Sequence, residues 1–401
     1  MKPCFRRYGW VVCLSLSISI IFHADGLSNN IGTTGTTSPT SSNTNQQISL
    51  RELLSTCVDA CQRGCHEIRC VQQARQDGFG LEVEWKDARD PKSALTEADA
   101  RAQQAIVTSL SNEWGPALTI VGEEDDEEDK DDDNNHKDDK TTGSTRGDEA
   151  FLRRDLVKFS VDNNNVHNDN DDDDDVHVNL QDVAIFVDPV DGTREFVEGR
   201  LKNCQALVGI AVRGQAMAGA IGIPFPSGDL SAETTVVYGQ VGVGYGVVGT
   251  PLEPNHENSN SLLRPILASG DATIDVMVTA RRIIENELGG SNALYGGAGN
   301  KVLATALGYA DCTIQHRFGG AWDTCAPEAI LRAMGGGHMT DMAGEELQIH
   351  QPNAAKEGLV RLGFVATGQK SVISHKELLA NLHANDIVQA YIAKGKDRVN
   401  Q

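Results

Sequence analysis

Residues 184–193, A-I-F-V-D-P-V-D-G-T, constrain this chain more than any other stretch. Four apolar residues in a row read as a strand buried on both faces. Asp188 and Asp191 follow, three positions apart, with Pro189 unable to extend a ladder and Gly192 permitting a tight turn. The pair therefore stands where a strand's carboxyl end meets a loop, which is where open α/β sheets hold ligands. Two carboxylates this close raise each other's pKa unless a cation lies between them. An all-oxygen donor set favours a hard ion, Mg²⁺ ahead of Zn²⁺. Thr193 adds a hydroxyl beside that ion. Taken alone, the same residues also suit an Asx turn closing a strand, so the rest of the chain has to decide.

The 401 residues suffice for two domains or one large one. The net charge of −22 is uneven: residues 123–175 hold 22 acidic and 7 basic residues, a net −15, which leaves −7 for the remainder. No basic stripe points to nucleic acid. Residues 125–179 are mostly low-complexity acid, interrupted at 151–161, and are expected to be a disordered insertion between two strands. Lys2, Arg6 and Arg7 precede an apolar run at 10–22 and small residues at 24–26, the pattern of a signal peptide over 1–26. The run is short for a membrane span, so none is expected once the signal is cleaved. The chain would then enter the secretory pathway, with its final compartment open. An uncharged Ser/Thr/Asn-rich linker follows over 27–47. Of nine cysteines, Cys57, Cys61 and Cys65 recur every four residues. They read as small core residues on one helix face, with a zinc cluster including His66 as the competing reading.

Helical spacing runs over 48–76 and 96–110, and a short strand at 118–121 leads into Glu123. After the central strand, apolar stretches at 206–212, 217–223, 235–241 and 243–248 predict a meander with glycine turns. The glycines at 239–246 have strand residues on both sides and no following helix, so they form a hairpin rather than a nucleotide loop. Farther on, strands at 264–268, 293–295, 312–315 and 362–366 alternate with helices at 272–288, from the G-G-A-G-N-K loop (296–301) to 307, 322–334 and 375–393, and a hairpin turns around Ala343-Gly344. This order favours a layered α/β architecture.

Four acidic features are far apart in sequence yet alike in position. Glu123 ends a strand, Asp188 and Asp191 end another, Asp323 opens a helix, and T-E-A-D (96–99) opens a second helix. They can converge on one metal cluster, while helix N-termini at Thr193 and Asp323 offer N–H groups to a phosphate. Metal plus phosphate cradle is the inventory of a metal-assisted phosphomonoester hydrolase.

The motifs G-E-E-D (122–125), D-P-V-D-G-T-R-E-F (188–196), G-G-A-G-N-K (296–301) and W-D-T-C-A-P-E-A-I (322–330) occur in this order. They resemble the inositol-monophosphatase superfamily, and within it the 3′(2′),5′-bisphosphate nucleotidase branch. The resemblance implies an αβαβα sandwich of the layered α/β (α+β) class over 48–395, interrupted by the insertion, and Mg²⁺ chemistry with two or three ions. It implies Glu123, Asp188, the Val190 carbonyl, Asp191 and Asp323 as metal ligands, and Thr193 with Glu123 holding the attacking water. Gly192, Thr193, Gly297, Lys301 and Asp323 would face the substrate. The branch carries an acidic residue where this chain has Ser93, and Asp90 is the candidate replacement. It also carries Ser-His-Ser where this chain reads A-S-G-D (268–271). The implied activity is lithium-sensitive removal of the 3′-phosphate from adenosine 3′,5′-bisphosphate. The alternatives are an inositol phosphate substrate and a weakly catalytic phosphate-binding relative.

Overall fold

The computed structural model describes residues 46–77, 83–85, 94–123, 151–159, 175–252, 264–316, 319–351 and 362–399. Strand β1 (Gln47–Ser49) leads into α1 (Leu50–Gln76), where Ser49 caps the helix by accepting from Glu52 N at 2.9 Å. β2 (Val83–Trp85) pairs with β3 (Ala94–Thr96), and α2 (Glu97–Trp114), β4 (Thr119–Gly122) and β5 (His177–Asn179) follow. The central strand is β6 (Val183–Asp191), and α3 (Thr193–Val197) comes straight after it. The meander is β7 (Gln205–Val212), β8 (Gln215–Ile223), β9 (Thr235–Gln240) and β10 (Gly244–Gly249). The second half holds β11 (Ile266–Ser269), α4 (Asp275–Arg282), β12 (Ser291–Leu294), α5 (Ala298–Ala306) and β13 (Cys312–Gln315). It closes with α6 (Ala321–Ala333), β14 (His338–Asp341), β15 (Phe364–Thr367), α7 (His375–His383) and α8 (Asp386–Val399).

Two sheets organise these elements. One is six-stranded, in the order β10-β9-β8-β7-β6-β4, and the other five-stranded, in the order β12-β11-β13-β15-β14. Both bury both faces, which is why their central strands are continuously apolar rather than alternating. Along β6, Val183, Ile185 and Val187 face α1 and α2, while Ala184 and Phe186 face α6. Along β15, Val365 packs on the α4, α7 and α8 side, and Phe364 and Ala366 on the α5 and α6 side. Helices α5 and α6 thus fill the space between the sheets, and the layers run αβαβα, as expected.

Four expectations need correction. The helix expected over 272–288 starts at Asp275 and loosens into a π turn at Ile283–Glu287. The helix expected over 375–393 is two helices, because Asn385 Oδ1 accepts from Ile387 N at 3.0 Å and starts a new one. Only one strand, β14, of the hairpin expected around Ala343-Gly344 forms among the described residues. The stretch 125–179, expected as one disordered insertion, contains two ordered pieces. β5 pairs with β1, which also takes Gln47 out of the expected linker. Residues 151–159 bury Leu152 and Val157 in the core. There Arg153 Nε meets Asp59 at 2.7 Å, and Arg154 meets Glu113 at 2.6 Å while lying over Trp114. Tyr238 closes the segment, accepting from Lys158 N at 2.8 Å and donating to Lys158 O at 2.7 Å. These nine residues carry apolar anchors and two adjacent arginines within an otherwise acid-rich stretch.

Cys57, Cys61 and Cys65 are buried under the first sheet, with Cys61 and Cys65 beside Gly222 of β8, so they are core residues. The signal segment, residues 27–45 of the linker, Asp90 and Ser93 lie outside the described residues. Among the described residues no helix is long and apolar enough to cross a membrane.

Candidate active site

In a regular strand, residues three apart point to opposite faces. Asp188 and Asp191 escape this rule through a bulge: Asp188 pairs with Leu207 but Asp191 with Gln205, so one extra residue of β6 is absorbed around Pro189 and Val190. Proline has no N–H to lose from the ladder, so its position in the bulge removes no bond. The bulge turns both carboxylates to the same side. β4 lies parallel to β6 with Gly122 opposite Val187, and that register sets Glu123 beside Asp188. Gly192, at φ +91°, turns the chain from β6 into α3.

Asp323 comes from the first turn of α6. A Cβ on Gly209 or Gly219 would lie 2.5–2.6 Å from Cys325 or Ala326, so only glycine there lets α6 sit this low on the sheet. Asp323 Oδ2 accepts from Gly320 N at 2.7 Å, which fixes the carboxylate at the start of α6. Ligand oxygens of Asp188, Asp191 and Asp323 lie within 4.8 Å of one another.

Asp191 sits at the start of α5 and accepts from Ala298 N at 2.7 Å and Asn300 N at 3.2 Å. Burial pushes its carboxyl up to about 6, against the pull of Lys301 and those two amides. Burial, followed by the carboxylates of Glu123, Asp191, Asp323 and Asp99, holds Asp188 well above the usual carboxylate range. Asp323 is raised by burial and by Glu123 and Asp191. Asp188 Oδ1 is buried and, among the described residues, accepts no hydrogen bond. A buried carboxylate oxygen left without a donor among like charges is what a cation site requires. The donor set, all carboxylate oxygen, suits Mg²⁺. Asp188, Asp191 and Asp323 would hold the ion, with Glu123 alongside.

Thr193 Oγ1 lies 3.0 Å from the Val190 carbonyl and 3.3 Å from Asp99 Oδ1. Its single hydrogen goes to one of them at a time, leaving lone pairs to accept from a water. Asp99 is fully buried in the first turn of α2. The T-E-A-D motif marked it as acidic, but sequence could not show that it meets a hydroxyl across 94 residues. Lys301 is buried, not solvated, and donates to the Gly297 carbonyl at 2.7 Å. Burial lowers its pKa against the opposing charges of Asp191, Asp323, Glu195 and Asp271. Sequence reasoning missed a further polar group: Glu195, buried, takes Arg200 and Asn203, and Asn300 links Gln205 at 3.0 Å to Asn203 at 3.1 Å.

A profile of the inositol monophosphatase family matches residues 49–389. The chain belongs to that family. It is therefore a phosphatase of the inositol monophosphatase type, and enzymes of this family use Mg²⁺. The chain is similar to human 3′(2′),5′-bisphosphate nucleotidase 1, at 30% identity over 270 residues, covering 64% of this chain and 74% of that protein. Inositol monophosphatase 3 of Xenopus laevis is 24% identical over 319 residues, covering 78% and 79%. The solved inositol monophosphatase of Thermotoga maritima superposes with a TM-score of 0.54 at 18% identity, covering 85% of this chain and 99% of that one, a likeness of fold.

Proposed function

We propose that this family member is a Mg²⁺-dependent 3′(2′),5′-bisphosphate nucleotidase that converts adenosine 3′,5′-bisphosphate to AMP and phosphate. The observation that carries the chemistry is Asp188, buried with an unpartnered oxygen amid other carboxylates. The 30% identity to the human nucleotidase supports the nucleotide over other phosphate esters. When bound, Mg²⁺ supplies Lewis acidity to the phosphate and makes water a competent nucleophile near neutral pH. The residues do the rest. Thr193 accepts a hydrogen bond from the attacking water, and Asp99 fixes the rotamer of that hydroxyl. Glu123, at the end of β4, is placed to take the water's proton. The α5 start, with Gly297 and Lys301, faces the substrate. Asp90 would serve beside Glu123 if its loop bends in at Ser93.

Phosphate release from adenosine 3′,5′-bisphosphate, 3′-AMP, inositol 1-phosphate and inositol 1,4-bisphosphate, with Mg²⁺ and after chelation, tests the reading. The bisphosphate nucleotide should be the best substrate, chelation should stop turnover, and lithium should inhibit it. Preference for an inositol phosphate would favour the second reading, to which the lack of a histidine at 268–271 lends weight. We also read residues 1–26 as a cleaved signal. A mature protein whose sequenced N-terminus falls within them would count against that.

A further inference from the structure

A closed ring of contacts passes through Asp191 of the carboxylate cluster. A Cβ on Gly297 would stand 2.5 Å from Asp191 Oδ2, so this turn presses on the cluster. The Gly297 carbonyl accepts from Lys301. The Lys301 side chain in turn lies 3.5–3.7 Å from where a Cβ on Gly270 would be. Next to Gly270 is Asp271, whose carboxylate accepts from Arg194 Nη1 at 2.8 Å. Arg194 follows Thr193 and is three residues on from Asp191. Three residues span at most about 11 Å, so Arg194 and the Asp271 bonded to it stand close to the carboxylate cluster.

This rim pair is both accessible and built. The Arg194 and Asp271 side chains are 28% and 55% exposed. Arg281 donates to the carbonyls on either side of Asp271, Gly270 at 3.0 Å and Ala272, so the loop after β11 is pinned where it presents the carboxylate. Glu198 steadies Arg194 from the other side, accepting from Nε at 2.9 Å. The guanidinium fork has further N–H donors beyond these two bonds. A carboxylate seated on a partly exposed arginine marks a place where a planar cation meets an anion, and a phosphate binds the same fork with more charge. Lys301, the other cation of the ring, is already committed to Gly297 and buried.

We propose that Arg194 recognises a second phosphate on the substrate, and that Asp271 is an internal stand-in which that phosphate displaces. The inference rests on the phosphatase reading but not on the nucleotide. It makes Arg194 and Asp271 specificity residues that set preference for bisphosphate over monophosphate esters.

The test is the ratio of kcat/KM for adenosine 3′,5′-bisphosphate to that for 3′-AMP, and likewise for inositol 1,4-bisphosphate to inositol 1-phosphate. Asp271→Asn should raise the ratio roughly fivefold, the scale of an exposed ion pair, chiefly through KM. Arg194→Gln should lower it roughly tenfold, and Arg194→Lys, which keeps the charge without the fork, should fall between. Thermal unfolding of each variant separates misfolding from altered preference. Ratios unchanged in both substrate pairs for folded Asp271→Asn and Arg194→Gln would overturn the proposal. If the wild type acts on inositol esters alone, the nucleotide reading fails while the inositol pair still decides this one. If it hydrolyses none of the four, both fall.

Discussion

Asp59 and Asp188 are both buried aspartates, 5% and 2% exposed, yet their surroundings are opposite. Asp59, on α1, is met by Arg153 at 2.7 Å and Arg63 at 3.3 Å, both reaching in from the surface. Asp188 is surrounded by the charges of Glu123, Asp191, Asp323 and Asp99, and among the described residues its Oδ1 has no donor. A buried charge is tolerated when paired and is strongly unfavourable when not. The first arrangement completes itself within the chain and fastens residues 151–159 to the body. The second is incomplete until a cation arrives. That difference separates a structural carboxylate from a functional one, though the two residues are identical in type and nearly so in burial.

The comparison breaks most sharply at Asp188. Asp188→Asn is expected to cut phosphate release by at least about 100-fold, the upper range for disturbing a metal site's ligand environment. In chelator the same variant should melt a few degrees higher than wild type, because one repelling charge is gone. Lower stability in chelator would mean that Asp188 has a partner after all. Arg153→Ala is the mirror experiment: it strips Asp59 of a partner, and should lower stability by about 1–2 kcal/mol, discounted because Arg153 is half exposed. Activity per folded molecule should hold, as read by active-site-normalised turnover.

The pH dependence sharpens the contrast further. The folded state raises the carboxyls of Asp191, to about 6, and of Asp188 and Asp323, so it binds more protons than the unfolded chain. Stability from these groups must then fall as pH rises from the ordinary carboxylate range through their raised pKa values, which for Asp191 is about 6. Melting in chelator should therefore rise, relative to Asp188→Asn, as pH is lowered from neutral toward the ordinary carboxylate range, and saturating Mg²⁺ should erase the difference. A flat difference between the two proteins would argue against mutual repulsion in the cluster. The smallest effect belongs to the acidic stretch. Replacing residues 126–150 by a short Gly/Ser linker should change stability by only about 0.6 kcal/mol per halving of loop length. Extending the deletion through 151–159 should cost more, since it removes Leu152, Val157 and both arginine contacts. Equal melting temperatures for the two deletions would show that the segment adds nothing.

Much of the fold was legible because its signals are local. The buried central strand, the glycine-hinged meander and the helix starts each follow from apolar runs and turn residues. The acid-rich composition of 125–179 hid an ordered segment, because nine residues with two apolar anchors and two arginines weigh little in a charge average. The break at Asn385 was obscured by helical spacing that continues on either side of it.

The sequence alone determined that carboxylates would gather at strand and helix ends, with glycines and a threonine beside them, because those positions depend on the order of residues along the chain. Only the tertiary structure decided which of them share a site. A bulge absorbs one residue and brings Asp188 and Asp191 to the same side of β6. The parallel register of β4 delivers Glu123. Two glycines let α6 settle low enough for Asp323 to arrive. Asp99 meets Thr193, and Asp271 meets Arg194, across 94 and 77 residues. Whether a carboxylate ends among arginines or among other carboxylates depends on packing between distant segments, and no local pattern encodes that.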